Sequence, residues 1–251
     1  MNPIWVYGIG QAAPGGAPLG TGVAGAEVSV LSAGGFQAIV SPAPAEPPSP
    51  TRRHMLAHTA VLERATAAVD LLPVRFGSVA PDASVLARCL ATHARPLAAA
   101  LAGIADSVEL GLRAVWRDGV MYHELMEADP ALRTLRNRLQ TRPLAETYQA
   151  RIELGRRVEA ALAVRRAAEA EKLLAPLLPL ARATIELRSS EDETVMHRAF
   201  LVRRPDETRF DAAVAELEAR HGERMTFRYV GPVPPFNFVS LRAEWLGTGS
   251  A

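Results

Sequence analysis

The sequence predicts an α+β protein in two parts. The first is an N-terminal ferredoxin-like α/β plait over residues 1–118, and the second a C-terminal α+β domain over residues 119–251 with a long antiparallel helix hairpin. Three observations predict it. Up to Trp116, short β-rich runs alternate with Ala- and Leu-rich helical patterns. From Met121 the texture becomes helical, with Leu125, Leu132, Leu135 and Leu139 on one stripe. The final third reads strand, strand, helix, strand. Strands paired around two helices give the plait.

Composition bounds the function. The chain has 251 residues, 49% hydrophobic and 22% charged, which is globular rather than disordered. That length suits one or two domains, and two are preferred. A net charge of +1 gives no field to recruit nucleic acid or anionic lipid. No apolar run approaches the ~18 uninterrupted residues of a membrane span. The start Met1-Asn2-Pro3-Ile4-Trp5 lacks the basic and apolar regions of a secretion signal. A single cysteine, Cys89, forms no disulfide framework and fits a reducing cytoplasm.

In chain order, Ile4–Gly10 reads as the first strand. Gly8-x-Gly10-x-x-Ala13 matches a dinucleotide fingerprint in form, but that fingerprint must open a helix. Pro14-Gly15-Gly16-Ala17-Pro18 cannot be a helix's first turns, so a Gly-rich loop is the better reading. Runs at Glu27–Leu31 and Phe36–Val40 flank Gly34-Gly35, a hairpin signal. The Pro-rich stretch from Ser41 to Pro50 reads as an extended spacer.

A helix over Thr51 to Val69 carries His54 and His58 one turn apart. Two such imidazoles can bind zinc, with Glu63 as a third ligand. Met55 stands where a zinc peptidase places its Glu, so ordinary packed or surface histidines are the better reading and no metal is expected.

Leu71 to Val79 reads as a buried strand with Pro73 at its start and Arg75 in its middle. A guanidinium inside an apolar strand needs a partner. A second helix, capped by Asp82 or Ser84, runs to about Gly103. Ser107–Trp116 alternates as a strand, with Val108, Leu110, Leu112 and Ala114 on one face. Glu109 points the other way, which makes it a partner for Arg75. A structural Arg75–Glu109 ion pair is favoured over a ligand-binding arginine. The base-stacking run of RNA-binding plaits is missing.

Glu124 to Leu139 reads as one helix, and Thr141-Arg142-Pro143 opens another that reaches about Leu174. Leu144, Tyr148, Ile152, Gly155, Val158 and Leu162 share a stripe of this helix, and Gly155 suggests a close helix–helix approach. Interleaved Arg156, Arg157, Arg165, Arg166 and Glu153, Glu159, Glu169, Glu171 read as a solvated face. Ala183–Arg188 and Val195–Val202 are strands around acidic Glu191-Asp192-Glu193. Pro205-Asp206-Glu207 starts a helix with Phe210, Val214 and Leu217 as its core stripe, ended by Gly222. Met225–Val230 closes the sheet. The Pro-rich run from Gly231 to Val239 follows, and Leu246–Ala251 is a loose tail.

Two of these runs carry a resemblance. Leu72-Pro73-Val74-Arg75-Phe76-Gly77 resembles the LPVRFG motif of the gas vesicle GvpF/GvpL family. Gly231-Pro232-x-Pro234-Pro235-Phe236-x-Phe238-Val239 resembles that family's closing GPWPPYSFV motif. His58, Glu109, Phe200-Leu201-Val202 and Phe210 fall in the expected order between them, and the resemblance extends from the first strand to Leu241. Val233, Phe236 and Asn237 depart from the family's Trp, Tyr and Ser.

The resemblance implies a non-enzymatic accessory or minor structural protein of gas vesicles. It implies binding to the hydrophobic major shell protein, support of vesicle assembly, and other gas vesicle accessory proteins as further partners. It places the protein in the gas vesicle, and in the cytoplasm before assembly. The fold it implies is a modified ferredoxin-like domain followed by an α+β domain with a coiled-coil-like helix pair. No catalytic residue, cofactor, nucleic acid or membrane is expected. The alternatives are a nucleic-acid- or ligand-binding plait module and a metal-dependent enzyme using His54 and His58.

Overall fold

The computed structural model describes residues 2–12, 19–46, 48–189, 191 and 193–239. The loop expected over Ala13–Pro18, Asp192 of the acidic turn and the expected tail Leu246–Ala251 lie outside them. The architecture is mixed helix and strand, with two antiparallel-type sheets in two compact units. One unit holds residues up to Glu109 together with those from Gly231, and the other holds Leu110–Val230. This differs from the expected division at 118/119. The boundary falls inside a strand, and the closing Pro-rich run belongs with the first unit.

In the first unit, β1 (Ile4–Gly10) runs antiparallel to β3 (Phe36–Pro42) on one side. On its other side β4 (Leu71–Pro73) and β5 (Val79–Ala80) pair with successive parts of it. β2 (Ser29–Ala33) lies outside β3. Gly34 and Gly35 join β2 to β3 with φ of 59° and 81°, the left-handed values a tight hairpin turn needs. The strand expected from Leu71 to Val79 is therefore two short strands separated by a turn.

Leu71 and Leu72 point to opposite faces and are both fully buried, so this sheet is covered on both sides. α1 (Arg52–Thr66) sets Val61, Leu62 and Ala65 against Trp5, Tyr7, Ile39 and Leu71. Its N-cap is Thr51, whose hydroxyl accepts from the His54 N–H. α2 (Ala83–Thr92) and α3 (Ala94–Ile104) bury Leu86, Leu90 and Leu97. Asp82 caps α2 by accepting from Val85 N–H at 2.9 Å. The single helix expected to Gly103 breaks at His93, because Pro96 has no N–H and fits only a helix's first turn.

In the second unit the sheet order is β7 (Ala181–Glu186), β8 (Thr194–Arg203), β6 (Ser107–Trp116) and β9 (Met225–Val233). Val108, Leu110, Leu112 and Ala114 of β6 are all buried, as their alternation predicts. α4 (Val120–Ala128) and α5 (Pro130–Gln140) replace the one helix expected over Glu124–Leu139. Asp129 makes the break. Its carboxylate accepts from the N–H groups of Ala131 and Leu132, and Pro130 takes the first helical position.

α6 (Leu144–Leu174) has 31 residues and so spans about 46 Å at the α-helical rise. Its inward side is Leu154, Val158, Ala161 and Leu162, packed on Leu125, Met126 and Leu132. The stripe expected through Leu144, Tyr148 and Gly155 is rotated away from that contact. Leu144 and Tyr148 are 64% and 59% exposed, and nothing lies within 4 Å of where a Gly155 Cβ would stand. Among the described residues Gly155 marks no close helix approach. α7 (Glu207–His221) buries Phe210, Val214 and Leu217 as expected, with Phe210 against Phe200.

Candidate functional site

The two runs that carry the resemblance meet in the first unit. Between β4 and β5 the chain turns through Val74–Ser78, pinned to β1 at both ends. Val74 N–H donates to the Tyr7 carbonyl at 2.8 Å, and Val6 N–H to the Ser78 carbonyl at 3.0 Å. Gly77 takes φ of 90°, which a side chain would resist. The turn turns Arg75 outward and Phe76 inward. Arg75 is exposed, whereas Phe76 lies edge-on to Trp5 with ring centres 5.0 Å apart.

Beneath Phe76 sits His58, only 2% exposed. Its Nδ1 accepts from the Trp5 indole N–H at 3.0 Å, so the proton is on Nε2, which donates to the Val74 carbonyl at 2.9 Å. Tyr7 stacks on the same imidazole at 5.1 Å. Burial pushes the His58 pKa down, against the opposing pull of the Val74 carbonyl. Both ring nitrogens are engaged, so His58 has no lone pair to offer a metal. Glu63 is exposed, and among the described residues no group of three or more His, Cys, Asp or Glu is placed to hold an ion.

The closing run lies on this cluster. Phe236 packs against the core that contains Trp5, Tyr7 and Phe76, and Pro234 and Pro235 are buried. Gly231-Pro232 is a cis peptide. Asn237 then reaches Glu109. Its backbone N–H donates to Glu109 Oε2 at 2.9 Å, and its side-chain amide donates to Oε1. Glu109 is 5% exposed, and burial raises its pKa while both Asn237 bonds oppose the rise.

The Arg75–Glu109 ion pair expected from the sequence is not formed. Both Glu109 oxygens belong to Asn237, and Arg75, held outside the short β4, needs no buried counter-charge. Pro73, Phe76, Gly77, Gly231, Pro232, Pro234, Pro235 and Phe236 do converge in this unit. Sequence reasoning missed Asn237, although its amide next to Phe236 was the available signal.

The second unit has a charge network that the sequence read as a solvated face. Glu124 accepts from Arg224 Nε and Nη2 and from Arg165 at 2.6 Å. Glu169, 6% exposed, takes Lys172 at 3.0 Å and Arg224 at 3.3 Å. The Arg224 bond holds the Glu124 pKa down. Burial alone would raise the Glu169 pKa, but Lys172 and Arg224 bring it below the usual carboxylate value. These links tie α4, α6 and the turn before β9 together.

Within each unit, the Glu109–Asn237 contact and the Glu124–Glu169–Arg224 network each bond their own members. Fold and motifs together define a two-unit α+β protein whose recurring sequence runs fasten its own chain. The family model described as gas vesicle synthesis protein GvpL/GvpF matches residues 3–240, and the chain belongs to that family of gas vesicle proteins, which is not known as an enzyme family.

Gas vesicle protein F of a Streptomyces species is 30% identical over 239 residues, which is 94% of this chain and 98% of the relative. Gas vesicle protein F of Dolichospermum flosaquae is 26% identical over 76% of this chain and 78% of its own. The crystal structure of GvpF from Anabaena superposes with a TM-score of 0.86 at 24% identity, covering 96% of this chain and all of that one. GvpF from Microcystis aeruginosa gives 0.81 at 22% identity, with the same coverage. These two structures share the fold. Among the described residues no helix is long and apolar enough to cross a membrane.

Proposed function

We propose that this chain is an accessory or minor structural protein of gas vesicles that binds the hydrophobic major shell protein and supports vesicle assembly. The observation that carries the reading is the family match over residues 3–240. The structure supports it in one respect. Phe236 of the closing run packs on the same core as Phe76 of the first run, and Asn237 fastens the closing run to Glu109, so their chemistry is that of construction. A protein of this role offers surface to an apolar partner. It works beside the shell protein in the cytoplasm before assembly, with other accessory proteins as further partners.

The test is co-purification. The tagged full chain, co-expressed with the major gas vesicle shell protein, retains that protein through washing. A tagged chain that emerges alone, with the shell protein wholly in the untagged fraction, overturns the reading.

A further inference from the structure

A strand at the edge of a sheet presents unpaired N–H and C=O groups, and proteins blunt such edges with charge, proline, bulges or short length. The edges of this protein can be compared one by one. β7 carries Arg182 and Glu186 and a register shift between Ala181 and Ala183. β9 carries Arg228 and Pro232. β4 ends in Pro73, and β5 has two residues.

β2 has none of these four devices, although α2 packs against it. Ser29-Val30-Leu31-Ser32-Ala33 has no charge and no proline, and its pairing with β3 runs without a shift. Its outer side has no partner strand among the described residues. α2 packs on β2, with Ala91 against the Gly34 turn, but leaves Ser29, Val30 and Ser32 exposed.

We infer that β2 is the docking edge of this protein, on which a partner adds an antiparallel or parallel strand. Charge decides the kind of partner. β2 is neutral, and so is β3 (Phe36–Pro42), the strand it already pairs with. A charged strand laid on this edge would find no counter-charge in the row. An extended, uncharged, apolar strand meets no such penalty. The partner is therefore a strand of the hydrophobic shell protein, and this identification rests on the function proposed above. A strand added to β2 continues the sheet past its exposed side, with hydrogen bonds supplying affinity and Val30 and Leu31 contacting side chains on opposite faces.

The experiment uses the tagged full chain co-expressed with the shell protein. Val30→Lys with Ser32→Lys places two charges on β2, while Val230→Lys places one on the exposed side of β9. The double variant retains about tenfold less shell protein or lower still, as expected for loss of an interface centre. V230K retains as much as the parent. Hydrogen exchange on the unaltered complex, which needs no variant to fold, shows slowed exchange at residues 29–33. Equal retention by the double variant, or unchanged exchange at 29–33 in a complex that forms, overturns the β2 assignment and leaves the proposed function standing. A parent chain that retains no shell protein overturns the proposed function and the assignment with it. A parent chain that dimerises alone through β2, with the dimer lost in V30K/S32K and the shell protein retained by both, replaces the partner by a second copy and overturns the assignment.

Discussion

The Glu109 carboxylate takes two hydrogen bonds from Asn237, which lies 128 residues further along the chain. Ser107–Glu109 is the last stretch of the first unit before the chain leaves it, and Gly231 is where the chain returns. The contact thus fastens the returning segment beside the point of departure. It lets Phe236 seat on the aromatic cluster around Trp5 and Phe76.

Asn237→Ala removes the side-chain donor and leaves a buried carboxylate with one backbone partner, at a cost of about 1–3 kcal/mol. Glu109 has a folded pKa raised above its ordinary 4.5. Its contribution is complete below 4.5 and falls as pH rises through the raised value. Asn237 favours the charged form, so the N237A penalty grows across that same window. Urea unfolding at a pH below 4.5 and at neutral pH measures both.

His58 works in the opposite sense. Its folded pKa is lowered beneath 6.5, so its stabilisation is complete above 6.5 and is lost as pH falls through the folded value. Protonation would set an Nδ1–H against the Trp5 N–H. The urea midpoint of the first unit drops on acidification below 6.5, and His58→Gln, less stable at neutral pH, flattens that drop.

Gly22 is required by contact with Tyr7. A Cβ on Gly22 would overlap the Tyr7 hydroxyl oxygen, which itself accepts from Val23 N–H at 2.9 Å and bonds the Ser41 hydroxyl. Gly22→Ala therefore costs about 1–3 kcal/mol or more, as overpacking does. Gly25→Ala, with open space around the position but φ of 75°, costs less and through the backbone. Thermal melts of the two variants separate the causes.

In the second unit, Arg224→Ala leaves Glu124 with Arg165 and Glu169 with Lys172, and costs about 1–2 kcal/mol, between an exposed pair and a fully buried one. The Arg224 bond lowers the folded pKa of Glu124, so that stabilisation is present above 4.5 and lost as pH falls through the lowered value. R224A unfolding in urea loses part of that acid dependence.

Much of this fold is visible in local sequence, and the rest fails for identifiable reasons. Ser107–Trp116 shows itself because a half-buried strand alternates. The hairpin at Gly34-Gly35 and the core stripe of Phe210, Val214 and Leu217 announce themselves in the same way. Helix breaks were harder to see. His93 and Asp129 interrupt apolar patterns that continue on both sides, and only Pro96 and Pro130 mark the places.

Arg75 misled because a short apolar run reads as one strand, whereas a turn exposes its middle. Glu109 was singled out, but its partner is set by tertiary return of the chain, which no local pattern encodes. Glu169 and Arg165 sit in a charged helical mixture that looks solvated until Arg224 is brought to it.

The proposed function implies that gas vesicles are not built normally without this protein. Deleting its gene and counting vesicles by electron microscopy tests that most directly. The account predicts that vesicles are absent or malformed in the deletion strain and are restored by the parent chain. Vesicles of normal number and shape in the deletion strain would contradict it.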